Sequence, residues 1–537
     1  VIIAEQDAFH KLDAYIGRSL PFFNAPGVVI GLTDCSAMLH VGAHGCADLA
    51  ARKPVEAAHL FEIGSISKSF TSILLLQLQA RGLIDVQDPV ARYLPWFEVR
   101  SEYVEPIRLC HLMTHSAGLI RGNDATVSAL CEIWSLRETE TGAPPGEFFH
   151  YSNSGYKILG LVLGEVLGQG LADILRENIM APLGMQASEP VITHHVRGRL
   201  ATGYEAVFDD RPLPRGGALA PATWLEFYDA DGSICSNAED MCRYLRMLLN
   251  RGAGVLDEGS FEALIQPRIA TDDGQHGEQY GYGLVISTVD GRQHIGHGGG
   301  MVGYYTYMAA DLDAGLGAIV LANGPGEPEA LARYALSLLR AARTGEILPE
   351  PPLNDPSISE HPQDYAGLYR AAGASFALRV DGQGLILEYE GESIPLERHS
   401  KDIYLADHPA FERFYLQFNR VDGAVVEAFH GDRWYSRAGC TAAPPEDPPP
   451  EWEAYPGHYR SHNPWYSNFR VVLRKGRLFL VFPFDEEEPL YPLGEDAFRI
   501  GKDPRSPERI HFGMRHRGQA YRASLSGGGE YRRIFTP

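Results

Sequence analysis

Two proline-rich stretches interrupt this chain: GEILPEPPLNDPSISEHPQ (345–363) and AAPPEDPPPEWEA (442–454). Proline fixes its own φ and has no N–H to give to a ladder, so neither stretch suits the interior of a helix or sheet. Each reads as an extended linker. They cut the 537 residues into one long segment, 1–345, and two short ones, 360–441 and 452–537.

The two short segments look like copies of one another. YAGLYR begins at Tyr365 and YPGHYR at Tyr455. Each is followed by alternating strands broken by a turn, at Asp381-Gly382 in one and Lys475-Gly476 in the other. Each ends on an aromatic-rich strand, DRWYSRAG or GEYRRI. The period of about 90 residues is too long for a solenoid repeat. Two small antiparallel β-barrels in tandem is the economical reading; one larger sandwich is the alternative.

The long segment mixes both periodicities. PGVVIGLTD and SAMLHVGAHG read as paired strands near its start, and YGYGLVIST, QHIGHGGG, GYYTYMAADLDA and GLGAIVLANG as strands near its end. Helical spacing falls between them, at 65–81, 107–115, 153–168 and 238–250, and a last helix at 329–343 follows. Strands at both ends and helices between predict an α+β domain, in which one antiparallel sheet is closed by the two ends of the segment and packed against helices.

Within it, FEIGSISKSF (61–70) places a serine at the mouth of a helix and a lysine three residues on. Taken alone, Ser65 reads as a helix cap. The alternative is a nucleophile, Ser65, whose hydroxyl proton passes to Lys68. Two further stretches bear on the choice. HYSNSGY (150–156) sets Tyr151 and Asn153 just before a helix, and HIGHGGGM (294–301) sets three glycines after His297, where a backbone can approach a ligand closely. Alone, the first fits a buried tyrosine with one hydrogen bond and the second a tight turn.

Five stretches occur together in one order: FEIGSISKSFT, RLCHLMTHSAGL, PPGEFFHYSNSGY, MAPLGM and HIGHGGGMVGYYT. In this the chain resembles the serine β-lactamase and penicillin-binding protein superfamily, specifically its class C and D-aminopeptidase branch, over roughly residues 7 to 343. The resemblance implies a β-lactamase-like domain. It implies catalytic roles for Ser65, Lys68 and Tyr151, substrate-binding roles for Asn153, His297 and Gly299, and an oxyanion hole made by the N–H groups of Ser65 and Gly300. The tandem barrels look like the accessory domains of D-aminopeptidases. One of their loops is then expected over the catalytic cleft, with FPFDEEEPLYP (482–492), read as a loop, the first candidate and HNPWYSNF (462–469) the second.

The chemistry is coherent without the family. A serine attacks an acyl carbon only if something takes its proton. A lysine held dry among donors gives up its charge more readily, and a nearby phenol can share the proton. One departure matters. Class C β-lactamases carry Lys-Thr-Gly at the third motif, whereas this chain has His297-Gly298-Gly299. Histidine is mostly neutral at pH 7 and suits a substrate carboxylate less well. The expectation is a cofactor-free, metal-free acyl hydrolase acting through an acyl-enzyme on small peptides or amides. A carboxylesterase or acyltransferase is the first alternative, and a weak β-lactamase or penicillin-binding sensor the second.

The remaining features set bounds. A net charge of -22 argues against nucleic acid and against anionic membrane surfaces. No apolar run reaches the roughly 18 residues that span a bilayer. The THHV stretch (193–196) lacks the spacing of a zinc helix. Seven cysteines without close pairing motifs read as buried thiols and fit a reducing compartment. The family instead suggests the periplasm or cell envelope, so a cytoplasmic setting stays open. The start VIIAEQDAFH, without methionine, fits a leader removed or left out. A small molecule or short peptide is the expected partner, and the oligomeric state is not legible.

Overall fold

The computed structural model describes residues 2–122, 128–271, 277–352, 355–484 and 487–534. The chain packs as two compact units. The first comprises Val1–Glu205, Ala220–Pro352 and Arg505–Pro507; the second comprises Ala206–Leu219, Leu353–Pro504 and Glu508–Pro537.

The first unit is built on an antiparallel sheet. Its strands are β1 (Gly27–Asp34), β2 (Met38–Asp48) and β3 (Lys53–Pro54) from the start of the chain, with β8 (Ile269–Ala270), β9 (Gln279–Tyr280), β10 (Val285–Val289), β11 (Arg292–Met301), β12 (Tyr304–Asp311) and β13 (Leu316–Ala322) from its later part. The spatial order is β3-β2-β1-β13-β12-β11-β10-β9-β8. The expected closure is the β1–β13 ladder, in which Val28 faces Ala322 and Asp34 faces Leu316. Both strands are buried along nearly their whole length. This explains why their sequences run continuously apolar instead of alternating: helices cover both faces of the sheet.

On one face lie α1 (Ile2–Phe23) and the C-terminal helix of the unit, Pro328–Thr344. Sequence analysis assigned no element to 2–23. The signal was present, since Ala8, Leu12, Tyr15 and Ile16 recur at helical spacing and are all buried against the sheet. The other face carries the helix Ala238–Leu249, capped by Asn237 through its side chain to Asp240 N–H. Along the chain, between β3 and β8, come α2 (Ser67–Ala80), α3 (Leu109–Met113), α4 (Ala129–Ser135) and α5 (Asn153–Leu167). A short ladder pairs β4 (Phe61–Glu62) with β7 (Cys235–Ser236) at the entrance to α2. The short hairpin strands β5 (Tyr204–Ala206) and β6 (Leu219–Pro221) flank the segment that packs in the second unit. Among the described residues no single helix is long and apolar enough to cross a membrane.

The second unit contains the two barrels. Eight strands between Gly367 and Arg437 close on themselves, as do eight between Gly457 and Ile534. The repeated tyrosines do the same work in each. Tyr365 donates to Asp402 at 2.7 Å, and Tyr455 to Asp496 at 2.8 Å. Tyr369 and Tyr459 each donate at 2.7 Å to the backbone oxygen of the first tyrosine in their own copy. Arg420 and Arg515 complete the same aspartate in their respective barrels. A buried ion pair, Lys475–Glu427 at 2.7 Å, joins the two barrels. The acidic run 482–492, expected as a loop, instead enters a strand at Glu487–Gly494, because Arg474 holds the buried Glu487 carboxylate. Asp485 and Glu486 lie outside the described residues.

Two buried acids give stability predictions. Lys157 on α5 pairs with Glu132 on α4 at 2.7 Å, both side chains essentially inaccessible, and Ser154 donates to the other carboxylate oxygen at 2.9 Å. Removing one member of a buried pair strands the other charge. Lys157→Met is expected to cost about 3–5 kcal/mol in urea unfolding, and Lys157→Met combined with Glu132→Leu to cost less than the single change. Glu62 on β4 is also buried, and burial pushes its carboxyl up to about 8. The folded protein therefore holds a proton that the unfolded chain releases above the ordinary carboxylate range, so stability falls as pH rises toward 8. Glu62→Gln should flatten this dependence in thermal melts between pH 5 and pH 8.

Candidate active site

The nucleophile candidate does not cap its helix. Ser65 sits in a single 3-10 turn, Gly64–Ile66, which leads into α2, and neither segment has a side-chain cap. Instead the Ser65 hydroxyl accepts a hydrogen bond from Lys68 Nζ at 2.8 Å. Lys68 is wholly buried, and its Nζ also donates to the Asp231 backbone oxygen at 2.8 Å. That carbonyl is held by neighbouring backbone pairing. Ile63 N–H donates to Ile234 O at 2.9 Å, and Ser67 Oγ accepts from Ile234 N–H at 3.3 Å. The second acceptor of Lys68 thus lies in the turn just before β7, which the β4–β7 ladder holds at the entrance to α2.

The second motif comes from the turn before α5. Ser152 caps this helix by accepting from Gly155 N–H at 3.1 Å, and so sets the residues on either side of it. The Tyr151 ring centroid lies 5.0 Å from Lys68 Nζ. Asn153 opens the helix, its N–H donating to Arg121 O at 2.8 Å.

The third motif lies on β11. Pairing with β10 stops at Gly296, whereas pairing with β12 continues to Met301. Residues 297–301 therefore form an open edge on the β10 side, and the turn carrying Ser65 packs on this part of the strand. The approach is backbone against backbone. A Cβ on Gly299 would lie 2.0 Å from Ile63 O, and one on Gly64, which has φ +51°, would lie 2.7 Å from Gly300 O. Only glycine fits either place. Gly300 itself faces open space and is exposed.

His297 is buried, its ring centroid 6.3 Å from that of Tyr151. Its Nε2 lies 2.8 Å from the Tyr280 hydroxyl and its Nδ1 lies 2.5 Å from Gly298 O. Burial, aided by the nearby Lys68, pushes its pKa down to about 4. His115, from the RLCHLMTHSAGL stretch, stands behind it, with Nε2 at 3.2 Å from the same Tyr280 hydroxyl.

The structure thus brings Ser65, Lys68, Tyr151, His297, Gly299 and Gly300 into one region. Sequence reasoning assigned no role to Gly64, His115, Asp231 or Tyr280. Gly64 and His115 stood inside the quoted motifs, so their position was a signal; Asp231 acts through its backbone, which no residue type reveals. Among the described residues no three His, Cys, Asp or Glu side chains converge as metal ligands.

Comparison with known proteins supplies the family. A family model described as Beta-lactamase matches residues 21–342. The chain is similar to the D-aminopeptidase of Cereibacter sphaeroides (strain KD131 / KCTC 12085), at 29% identity over 393 residues and 70% of each chain. It is similar to Penicillin-binding protein 4* of Bacillus subtilis (strain 168), at 26% identity over 420 residues, 72% of this chain and 86% of that one. Among solved structures, the octameric penicillin-binding protein homologue from Pyrococcus abyssi aligns with a TM-score of 0.60 at 25% identity, covering 80% of this chain and 99% of the other. The family match spans more than half of the chain and contains every residue of the site from Ser65 to Gly300: the chain belongs to the beta-lactamase family.

Proposed function

We propose that the protein is a serine hydrolase that cleaves amide bonds of small peptides or amino-acid amides through an acyl-enzyme. The observation that carries this reading is the buried Lys68 Nζ, 2.8 Å from the Ser65 hydroxyl. In the proposed reaction the Lys68–Tyr151 pair starts one proton short of an ammonium and a phenol, and Ser65 Oγ bonds to the acyl carbon while its proton passes to that pair. The former carbonyl oxygen takes the negative charge, and the N–H groups of Ser65 and Gly300 would face it. The C–N bond then breaks, and the departing amine takes the proton from the pair. Water attacks the resulting ester and gives a proton to the same pair; the C–Oγ bond breaks, the pair returns that proton to Ser65 Oγ, and the acid leaves.

The third motif supports an uncharged recognition surface. His297 is pushed down to about 4 and both its ring nitrogens are engaged, so it offers no cation to a carboxylate. This favours amides over penicillins, which present such a carboxylate. Similarity to proteins named D-aminopeptidase points the same way. A free α-amine at the scissile residue, and D-stereochemistry, are the finer parts of the proposal.

The test is turnover of an amino-acid anilide, a chromogenic ester and a cephalosporin side by side. The anilide of a D-amino acid should be cleaved, and the cephalosporin should be the poorest substrate. A fluorophosphonate probe should label the wild type and not Ser65→Ala; labelling at Ser67 or Ser152 would overturn the assignment. Lys68→Ala and Tyr151→Phe should each slow acylation by about 10²–10⁴-fold. The double variant should lose little beyond the worse single one, because the pair acts as a unit.

A further inference from the structure

Four hydrogen bonds link the second motif to the third through groups that the proposed reaction does not use. Ser152 N–H lies 3.0 Å from His115 Nδ1, His115 Nε2 lies 3.2 Å from Tyr280 Oη, Tyr280 Oη lies 2.8 Å from His297 Nε2, and His297 Nδ1 lies 2.5 Å from Gly298 O. The side chains in the chain are buried.

The direction of every bond follows from its two ends. A backbone N–H can only donate, so His115 Nδ1 accepts. His115 is neutral, since burial and then the Lys68 charge hold it well below the usual imidazole range, and its proton must therefore be on Nε2. At the other end a carbonyl can only accept, so His297 Nδ1 carries the proton and its Nε2 accepts. The Tyr280 hydroxyl has one proton. It receives from His115 and gives to His297, and both ends independently require this sense. The phenol is buried and its pKa is pushed well above the usual range, so its proton stays in place.

We infer that His115 and Tyr280 are positioning residues: they form a one-way relay that holds His297 in its Nδ1–H tautomer and ties the Tyr151 turn to the strand bearing Gly299 and Gly300. The ionisable groups facing this relay are Lys68 on α2, Tyr151 and Tyr156 around the start of α5, and His150. Tyr156 is committed to Met113 O at 2.8 Å. Without the His115 donor, the Tyr280 hydroxyl is free to turn away from His297. The lost tautomer lock then loosens the third motif beside the nucleophile. The role in acylation rests on the serine-hydrolase reading, whereas the tautomers do not.

The test uses the full-length protein labelled with ¹⁵N-histidine, with the signals assigned by His115→Gln and His297→Gln. The expected spectrum shows His297 as the Nδ1–H tautomer and His115 as the Nε2–H tautomer. Tyr280→Phe should strip His297 Nε2 of its donor, seen as a shift of that ¹⁵N signal while the Nδ1–H stays on Gly298 O, and slow fluorophosphonate labelling at least tenfold. His115→Leu should slow labelling likewise, and His115→Gln, whose amide can replace the Nε2–H donor, should recover most of the lost rate. An Nε2–H tautomer for His297 in the wild type would overturn the relay, as would a folded Tyr280→Phe with an unchanged His297 Nε2 signal and labelling rate. Should Tyr280→Phe not fold, the wild-type spectrum still decides. A wild type that shows the expected tautomers but no labelling of Ser65 would leave the relay standing and sink the hydrolase reading.

Discussion

The site depends on one close approach of two backbones. The turn at Ile63–Ser65 lies against Gly299–Gly300 so tightly that neither Gly64 nor Gly299 has room for a Cβ. This approach sets Ser65 beside the open edge of β11, where strand pairing on the β10 side has ended. The helix that follows the turn then fixes Lys68 one turn from Ser65, and the turn before β7 supplies the Asp231 carbonyl that accepts from the far side of its Nζ. A rigid sheet edge and a rigid helix entrance meet without side chains between them, which keeps the hydroxyl and the backbone donors in a fixed relation.

Much of this was legible in the sequence. The serine–lysine spacing, the tyrosine before a helix and the glycine run each gave a weak signal, and their order along the chain gave a strong one. The sheet closure was legible because the strand-like runs sit at both ends of the long segment. The barrels were legible because the second copy repeats the tyrosines of the first, and Tyr365 and Tyr455 turn out to hold equivalent aspartates. What escaped has physical reasons. The helix Ile2–Phe23 has the right spacing, but it ends on Asn24, with φ +52°, instead of a glycine, and Pro21 falls inside it. The strand entered at Glu487 read as a loop because nothing in the acidic run marks the pairing of Glu487 with Arg474, on a strand that reads as ordinary. The carbonyl of Asp231 carries no side-chain signature at all.

His297 shows how composition can give the right answer for an incomplete reason. A histidine in place of lysine suggested a site with less charge. The structure adds that the ring is buried and spoken for at both nitrogens, so its neutrality comes from its surroundings and not only from its ordinary titration range. The buried Glu132–Lys157 pair under α5 is a second polar feature with no counterpart in the motifs. Such pairs stabilise little in themselves but tolerate few wrong arrangements, and this one links the helix after Tyr151 to its neighbour.

The segment Ala206–Leu219 has a consequence for how the protein is made. It is synthesised in the first half of the chain, yet Asp209 receives Arg460 of the last barrel at a separation of 251 residues, and Asp210 receives Arg470 at a separation of 260. Ser467 and Asn468 close on the same segment. A ribosome therefore releases this hairpin tip with its acidic pair facing water, and the final partners arrive only when the last barrel has emerged. The tip is a late-closing seam: the order of translation, and not only the final energy, decides when the second unit becomes complete.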